Sequence, residues 1–300
     1  MGISSSYTNF GGPSFRLGCR NPASKDGKLG ATKDVPATVN MKPRIPMQRL
    51  IAFQTILYKE IYRFVRIWPQ TLLPSAVTTS LYFLIFGKLI GGRIGAMHGI
   101  PYMDYIVPGV ILMSVITNSY GNVVASFYSS KFQRNIEEML IAPVPGWMML
   151  AGYVSGGLAR GLAVGGVVMG ISAFFTDLKI AHPEIVILVF LLTAILFSLA
   201  GFLNALFANS FDDISIIPNF VLTPLVYLGG VFYSIDLLPG VWKAISLGNP
   251  ILYMISAFRY GFLGVADVSV EQAVLIIVEF ILVLLLWTLW LLRRGTGLKT

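Results

Sequence analysis

The sequence predicts an all-α, polytopic membrane protein, on three observations. Hydrophobic residues fill 55% of 300 positions and charged residues only 12%, with a mean hydropathy of +0.74. Soluble domains carry about 25% charge, and a chain this apolar cannot hide its surface from water. Six apolar runs each approach the roughly 20 residues that cross the hydrocarbon core as a helix. They lie at about 72–90, 105–127, 147–175, 185–208, 214–231 and 273–292. Lysine and arginine, finally, are shared unevenly between the segments joining those runs.

Residues 1–40 are rich in Gly, Ser, Pro and Asn and lack hydrophobic periodicity. They cannot bury enough surface to offset ordering entropy, so residues 1–48 are expected to form a disordered cytoplasmic tail. No apolar run follows the early basic residues, which argues against a secretory signal. Met41 and Met47 stand just before the ordered part, and either is a candidate start of the protein.

Residues 49–68 read RLIAFQTILYKEIYRFVRIW. Leu50, Phe53, Leu57, Ile61, Phe64 and Trp68 recur at spacings of three and four, while Thr55, Lys59, Arg63 and Arg66 mark another face. That pattern is an amphipathic helix with a basic face, suited to the headgroup plane. The other reading is an ordinary helix packed on a soluble core.

Between the second and third runs lies KFQRNIEEMLIAPVP, residues 131–145. No proline or glycine interrupts a helix from Lys131 to Leu140, and Pro143 and Pro145 end it. A helix of about ten residues bearing both signs of charge can dock on a soluble partner; the alternative is a solvated turn.

The third run carries Gly157, Gly161 and Gly165 at every fourth position, which lets helix backbones approach closely in lipid. Arg160 lies near its centre and Glu279 roughly 9 Å inside the outer end of the last run, counted at the helical rise. Charges at such depths face protein or water, so both are candidates for the translocation path or for structural contacts. Asn118, Asn122 and Asn204 also fall within runs, to line a polar path or to bond across helices. Asp212 and Asp213 read as helix caps at the start of the fifth run. Pro218 and Pro224 break that run, which is tolerated where protein or water meets the freed carbonyls. Tyr227, Phe232 and Tyr233 follow, as an aromatic gate or as interfacial anchors. Residues 232–263 are too broken by Pro239 and Pro250 to span.

Six spans put both ends on one side. With the N-terminus inside, sixteen of the 22 Lys and Arg are cytoplasmic: eleven from Arg16 through Arg66, then Lys131, Arg134, Arg293, Arg294 and Lys299. Lys88, Arg93, Lys179, Lys243 and Arg259 fall outside. This is the positive-inside bias, so the net charge of +8 reports topology and not a nucleic-acid surface. Trp68, Trp147, Trp287 and Trp290 lie near the cytoplasmic boundary, as interfacial indoles do. Residues 293–300 are a cytoplasmic tail.

Catalytic chemistry finds no footing. Cys19 is the single cysteine, and His98 and His182 are far apart, so no metal site is expected. Lys88 follows Gly87, but Tyr82 stands where a phosphate-cradling loop needs glycine; Lys28 follows Gly27 without a Ser or Thr next. The chain has no visible means of binding or hydrolysing ATP.

The last part of the sequence resembles the ABC-2 family of ATP-binding-cassette exporter permeases. Leu222, Leu225, Leu228, Gly229, Val231, Leu238 and Pro239, then Pro250, Ile251, Leu252, Tyr253 and Arg259, fit the family's sparse signature. RNIEEMLIAPVP, NSFDDIS and TPLVYLGGVFYSI are similar to bacterial members, and the resemblance covers residues 49–292. It implies that 49–68 is an interface helix with Lys59, Glu60, Arg63 and Arg66 at the membrane surface. It implies a coupling helix over 131–142, with Arg134, Asn135, Glu137, Glu138 and Leu140 against an ATPase, and re-entrant external helices over 232–263. The implied assembly is a homodimer with two separate ATPase subunits that hold the ATP and Mg, in a bacterial inner membrane. Two other readings stand beside it: an ion-coupled transporter using Arg160 and Glu279, and a membrane scaffold for a soluble partner.

Overall fold

The computed structural model describes residues 45–141 and 144–297. Residues 1–44, 142, 143 and 298–300 lie outside the described residues, and with them most of the tail expected to be disordered and the helix-ending Pro143. The architecture is a helical bundle. Its elements are α1 (Ile45–Arg66), α2 (Trp68–Ile94), α3 (Tyr102–Phe132), α4 (Asn135–Ile141), α5 (Gly146–Ser172), α6 (Pro183–Phe207), α7 (Asp213–Leu228), α8 (Gly240–Leu247), α9 (Pro250–Leu263) and α10 (Val270–Arg294). A hairpin of β1 (Ala96–Met97) and β2 (Ile100–Pro101) joins α2 to α3. Its two-residue turn puts His98 at φ 51° and Gly99 at φ 76°, the backbone a tight antiparallel hairpin demands.

Five helices, α2, α3, α5, α6 and α10, are long and apolar enough to cross a membrane. The fifth predicted run forms α7, a shorter apolar helix that does not join these five by length. Helical rise carries it about 24 Å, less than the roughly 30 Å core. Pro218 opens a wider, π-helical stretch through Leu222, and Thr223 Oγ1 donates to the Pro218 carbonyl at 2.8 Å. A second wide stretch, Phe83–Ile90, occupies the outer part of α2. Residues 232–263 form the short helices α8 and α9, and α9 packs back on the bundle through His182 N–H to the Gly261 carbonyl, 2.8 Å.

Buried residues make up 67% of the most apolar stretch of α3 and 56% of that of α6, against 11% for α2 and 17% for α10. The first pair is therefore the centre of the bundle and the second its rim. Phe127, Tyr153 and Phe202 lock α3, α5 and α6 together, with Phe127 and Phe202 centroids 4.1 Å apart. Close backbone approach fixes the register. A Cβ on Gly109 would meet the Val231 carbonyl oxygen at 2.7 Å, and one on Gly201 would meet the Tyr120 carbonyl oxygen.

Helix α5 uses glycine on two faces. Gly157, Gly161 and Gly165 lie against α3 and α6, beside Ser119, Val115, Val123, Ser198 and Phe190. Gly152 and Gly156 receive Ile56 and Glu60 of α1. Helix α1 starts four residues before the predicted boundary of the tail, and its orientation differs from the expected one. Glu60 is fully buried and Arg63 is part-buried, so these two charges face the bundle. Leu50, Tyr58 and Tyr62 are exposed, the two tyrosine rings stacked at 5.9 Å. Glu60 and Arg63 turn inward because the glycine groove of α5 admits Glu60 and polar side chains of α3 pair with both, while Thr55, Lys59 and Arg66 stay exposed.

Candidate functional site

The segment at 131–145 is built differently from a single ten-residue helix. Lys131 belongs to the end of α3 and is buried, donating to the Leu206 and Ala208 carbonyls at 3.1 and 2.8 Å. It caps the C-terminus of α6, where backbone carbonyls lack helical partners. Arg134 then takes the left-handed backbone, φ 59°, and turns the chain sharply into α4. Ile136 is buried and holds α4 in place, while Glu137 and Glu138 are exposed, as is Ile141 at 86%. Asn135 donates to the Gln133 carboxamide oxygen at 3.1 Å, closing the corner. Leu140 lies within α4.

A cavity of about 590 Å³ opens between α4, α1, the start of α5 and the end of α10. Lys59 and Glu138 stand on its wall with apolar Ile56, Met139, Met149 and Leu292. Arg66 is exposed at the end of α1. One face of the molecule thus offers an acidic, apolar-tipped helix beside a basic one.

Above this surface is a cluster of polar side chains within the bundle. Glu60 accepts from Ser126 at 2.7 Å and from Arg63 at 3.3 Å. Arg63 Nη2 also donates to the Asn122 side-chain oxygen at 2.8 Å and its backbone oxygen at 3.1 Å. One turn earlier on α3, Asn118 accepts from Arg160 at 3.4 Å and donates to Ser75 at 3.3 Å. An arginine at this depth costs about 2.5–3.5 kcal/mol to insert, and Arg160 offsets it through an amide. It does not meet Glu279, which is exposed on α10 beside a cavity of about 440 Å³ lined by Leu247, Pro250, Tyr253 and Phe280.

Asn118 also forms part of a cleft of about 270 Å³ between α2 and α3, with Ser75, Thr78, Thr79, Ser114 and Thr117. Thr78 and Thr117 are exposed on the outside of two membrane-length helices. Aromatic rings close the far end of the cleft. Tyr82, Phe86 and Tyr227 surround Phe232 at centroid distances of 5.5, 4.6 and 6.0 Å, and the Tyr82 and Tyr227 hydroxyls lie 3.3 Å apart. Tyr233, expected in the same group, stands outside this stack.

An ABC-2 type transporter family model matches residues 51–263. The chain belongs to the ABC-2 type transporter family. It is 57% identical over 250 residues to "Inner membrane transport permease YadH" of Escherichia coli (strain K12), covering 83% of this chain and 98% of that protein. It is 26% identical over 220 residues to "Nodulation protein J" of Rhizobium leguminosarum bv. viciae, covering 71% of this chain and 83% of the relative. The ABC-2 assignment and the five apolar helices among the described residues make it a multi-pass membrane permease.

The ABC-2 signature residues include Arg259, at the end of the bundle that holds the N-terminus of α3. Arg259 is buried, donates to the Asp267 carboxylate at 2.7 Å and to the Gly230 carbonyl at 2.6 Å, and lies 3.9 Å from the Tyr105 ring centroid. His98, Asp236 and Asp267 bring donor atoms within 4.8 Å of one another, a grouping the sequence reading did not foresee. Both carboxylates already have cations, Lys243 on Asp236 at 2.9 Å and Arg259 on Asp267, so the arrangement works as a set of ion pairs. Lys243 holds the exposed Asp236 carboxyl below the usual carboxylate range by hydrogen bond and charge, with His98 adding to the effect. Tyr82, Phe86 and Asp267 are the site residues that sequence reasoning missed. Each meets partners far away in the chain, and no local spacing marks it.

Proposed function

We propose that this ABC-2 permease is the transmembrane half of an ATP-driven exporter. It works as a homodimer with a separate ATPase that binds ATP and Mg and drives α4. The carrying observation is the surface of α4, where Glu137 and Ile141 are exposed and Glu138 lines the cavity shared with α1. An apolar tip on an acidic helix has no use in open solvent, and it suits a groove on a soluble partner. With α7 taken as a sixth crossing, the positive-inside bias assigns this surface to the cytoplasm together with both chain ends.

The cleft between α2 and α3 is the proposed path for cargo, opened by alternating access. An exposed hydroxyl without a helical partner is out of place against lipid tails, so Thr78 faces a second copy or the cargo, beside Thr117, whose hydroxyl donates to the Met113 carbonyl. Helix α2 is the least buried of the membrane-length helices, which leaves it available for that contact. The stack of Tyr82, Phe86, Tyr227 and Phe232 is the external gate, bordered by the short helices α8 and α9. The cargo class is a hydrophobic, lipid-linked or glycan-bearing molecule.

The test is affinity capture of the full-length permease from its native membrane. The expected outcome is an ATP-hydrolysing subunit in equimolar amount, lost when Glu137 and Glu138 are both changed to Lys. Capture of an ATPase that ignores these substitutions would overturn the assigned docking surface.

A further inference from the structure

We propose that the Arg63–Asn122 and Arg160–Asn118 pairs form a recognition site for an anionic group, a phosphate or carboxylate carried by a membrane amphiphile. The inference rests on the reading of the α2–α3 cleft as the cargo path and names the chemistry of what enters it.

Charge is the first argument. The cluster holds two guanidiniums and one carboxylate, and Glu60 is already engaged by Arg63 and Ser126. Among the described residues no carboxylate lies within ion-pair distance of Arg160, whose side-chain partner is the neutral Asn118 oxygen. The cluster therefore carries a net positive charge inside the membrane-length bundle.

Hydrogen bonding is the second, independent argument. The side-chain nitrogen of Asn122 is buried and meets no acceptor, and the same holds for Nε of Arg63 and Nε of Arg160. Buried polar groups are ordinarily paired, and an unmatched one is costly. Each unmatched nitrogen here is a donor. The chemistry that satisfies several N–H groups and a surplus positive charge together is an anionic oxygen group.

Access is the third. Arg160 holds the Asn118 oxygen, and the Asn118 amide nitrogen donates to the Ser114 carbonyl at 3.0 Å and to Ser75 Oγ at 3.3 Å. Asn118 thus lines the cleft with a guanidinium behind it, and an entering anion would compete for the longer bond to Ser75. Thr78 adds a hydroxyl to the cleft wall, and those of Ser75 and Thr117, which donate to the Thr71 and Met113 carbonyls, would have to leave these bonds to meet phosphate oxygens. The cleft opens on the outside of α2 and α3 at mid-helix, so a ligand reaching it from the bilayer must have an apolar body.

The test uses full-length permease in phosphatidylcholine nanodiscs, titrated with dodecyl phosphate and, separately, dodecyl maltoside, with bound ligand read by native mass spectrometry. The wild type should bind dodecyl phosphate at least tenfold more tightly than the maltoside. Arg160→Gln should abolish that preference and leave maltoside binding unchanged, and Arg160→Lys should keep it within threefold. Should Arg160→Gln fail to fold, Asn118→Asp serves instead: its carboxylate neutralises Arg160 and repels the ligand, so the preference is again lost. Phosphatidylglycerol nanodiscs separate the sources: competition there identifies a bilayer headgroup as the anion, and undiminished dodecyl phosphate binding identifies a dedicated cargo, both with the site intact. Equal binding of the two detergents by the wild type, or an unchanged preference in both variants, overturns the proposal. Because the assay needs neither ATP nor transport, that failure leaves the exporter reading standing. Loss of transport with anion binding retained would instead count against the exporter reading.

Discussion

Arg259 has its guanidinium 2.7 Å from the Asp267 carboxylate and 2.6 Å from the Gly230 carbonyl, with almost no exposed surface. Removing one partner of such a pair leaves a buried, uncompensated charge, a loss of about 3–5 kcal/mol. Arg259→Ala should therefore lower the thermal unfolding temperature in detergent sharply. Arg259→Lys should fall between the two, since a lysine keeps the ion pair but lacks the fork that reaches Gly230. Asp236 behaves in the opposite regime, at the surface. Its carboxyl is depressed in the folded state, so its link to Lys243 is fully present above the unfolded carboxylate value of about 3.9. The link disappears as pH falls through the lower folded value. Hydrogen exchange over residues 235–247 should be slower in the wild type than in Asp236→Asn at pH 6, and the two should converge only once the pH falls below the depressed folded value of the carboxyl. At this scale the sequence disclosed Arg259, through a signature, but not Asp267. Its partners Tyr105 and Ser234 come from other parts of the chain, and pairing of that kind has no local period.

Helices α1 and α4 show how far periodicity reaches. Apolar spacing announced α1, but not which face enters the protein, because the deciding groove is made by Gly152 and Gly156 on α5. A Cβ at Gly156 would meet Glu60 Cβ at 2.6 Å, whereas one at Gly166 meets nothing within 4 Å. Gly156→Leu should cost about 1–3 kcal/mol by overpacking and detach α1, while Gly166→Ala should be neutral or favourable by up to about 1 kcal/mol. Thermal unfolding and limited proteolysis after Arg66 would read both. In α4, the sequence read Lys131 as part of the docking helix, and the Leu206 and Ala208 carbonyls that bury it lie far along the chain. Arg134 permits a clean separation of backbone from charge. Arg134→Gly accepts the left-handed turn without penalty, so its stability should match or exceed the wild type by about 1 kcal/mol. Any loss of ATPase binding in that variant measures the guanidinium alone. Arg134→Val should destabilise the corner as well.

Across the whole molecule, hydropathy announced an apolar multi-helix bundle because five stretches are continuous and long. It overestimated the stretch around Pro218 and Pro224, where composition is apolar but α7 ends short, and apolar composition does not report helix length. The division between the central α3 and α6 and the rim of α2 and α10 was not legible, since all four look alike to lipid and to protein. That division carries the functional account: a rim helix with hydroxyls facing outward, an arginine-backed cleft, an aromatic gate above and an exposed acidic helix below. On the proposed reading, energy arrives from outside the chain through α4. The direct measurement is transport of cargo into inside-out vesicles holding the purified permease with its captured ATPase. The account predicts accumulation that requires ATP and stops when the ATPase is inactivated or Glu137 and Glu138 are reversed in charge. Uphill accumulation by the permease alone, driven by an ion gradient without ATP, would contradict it.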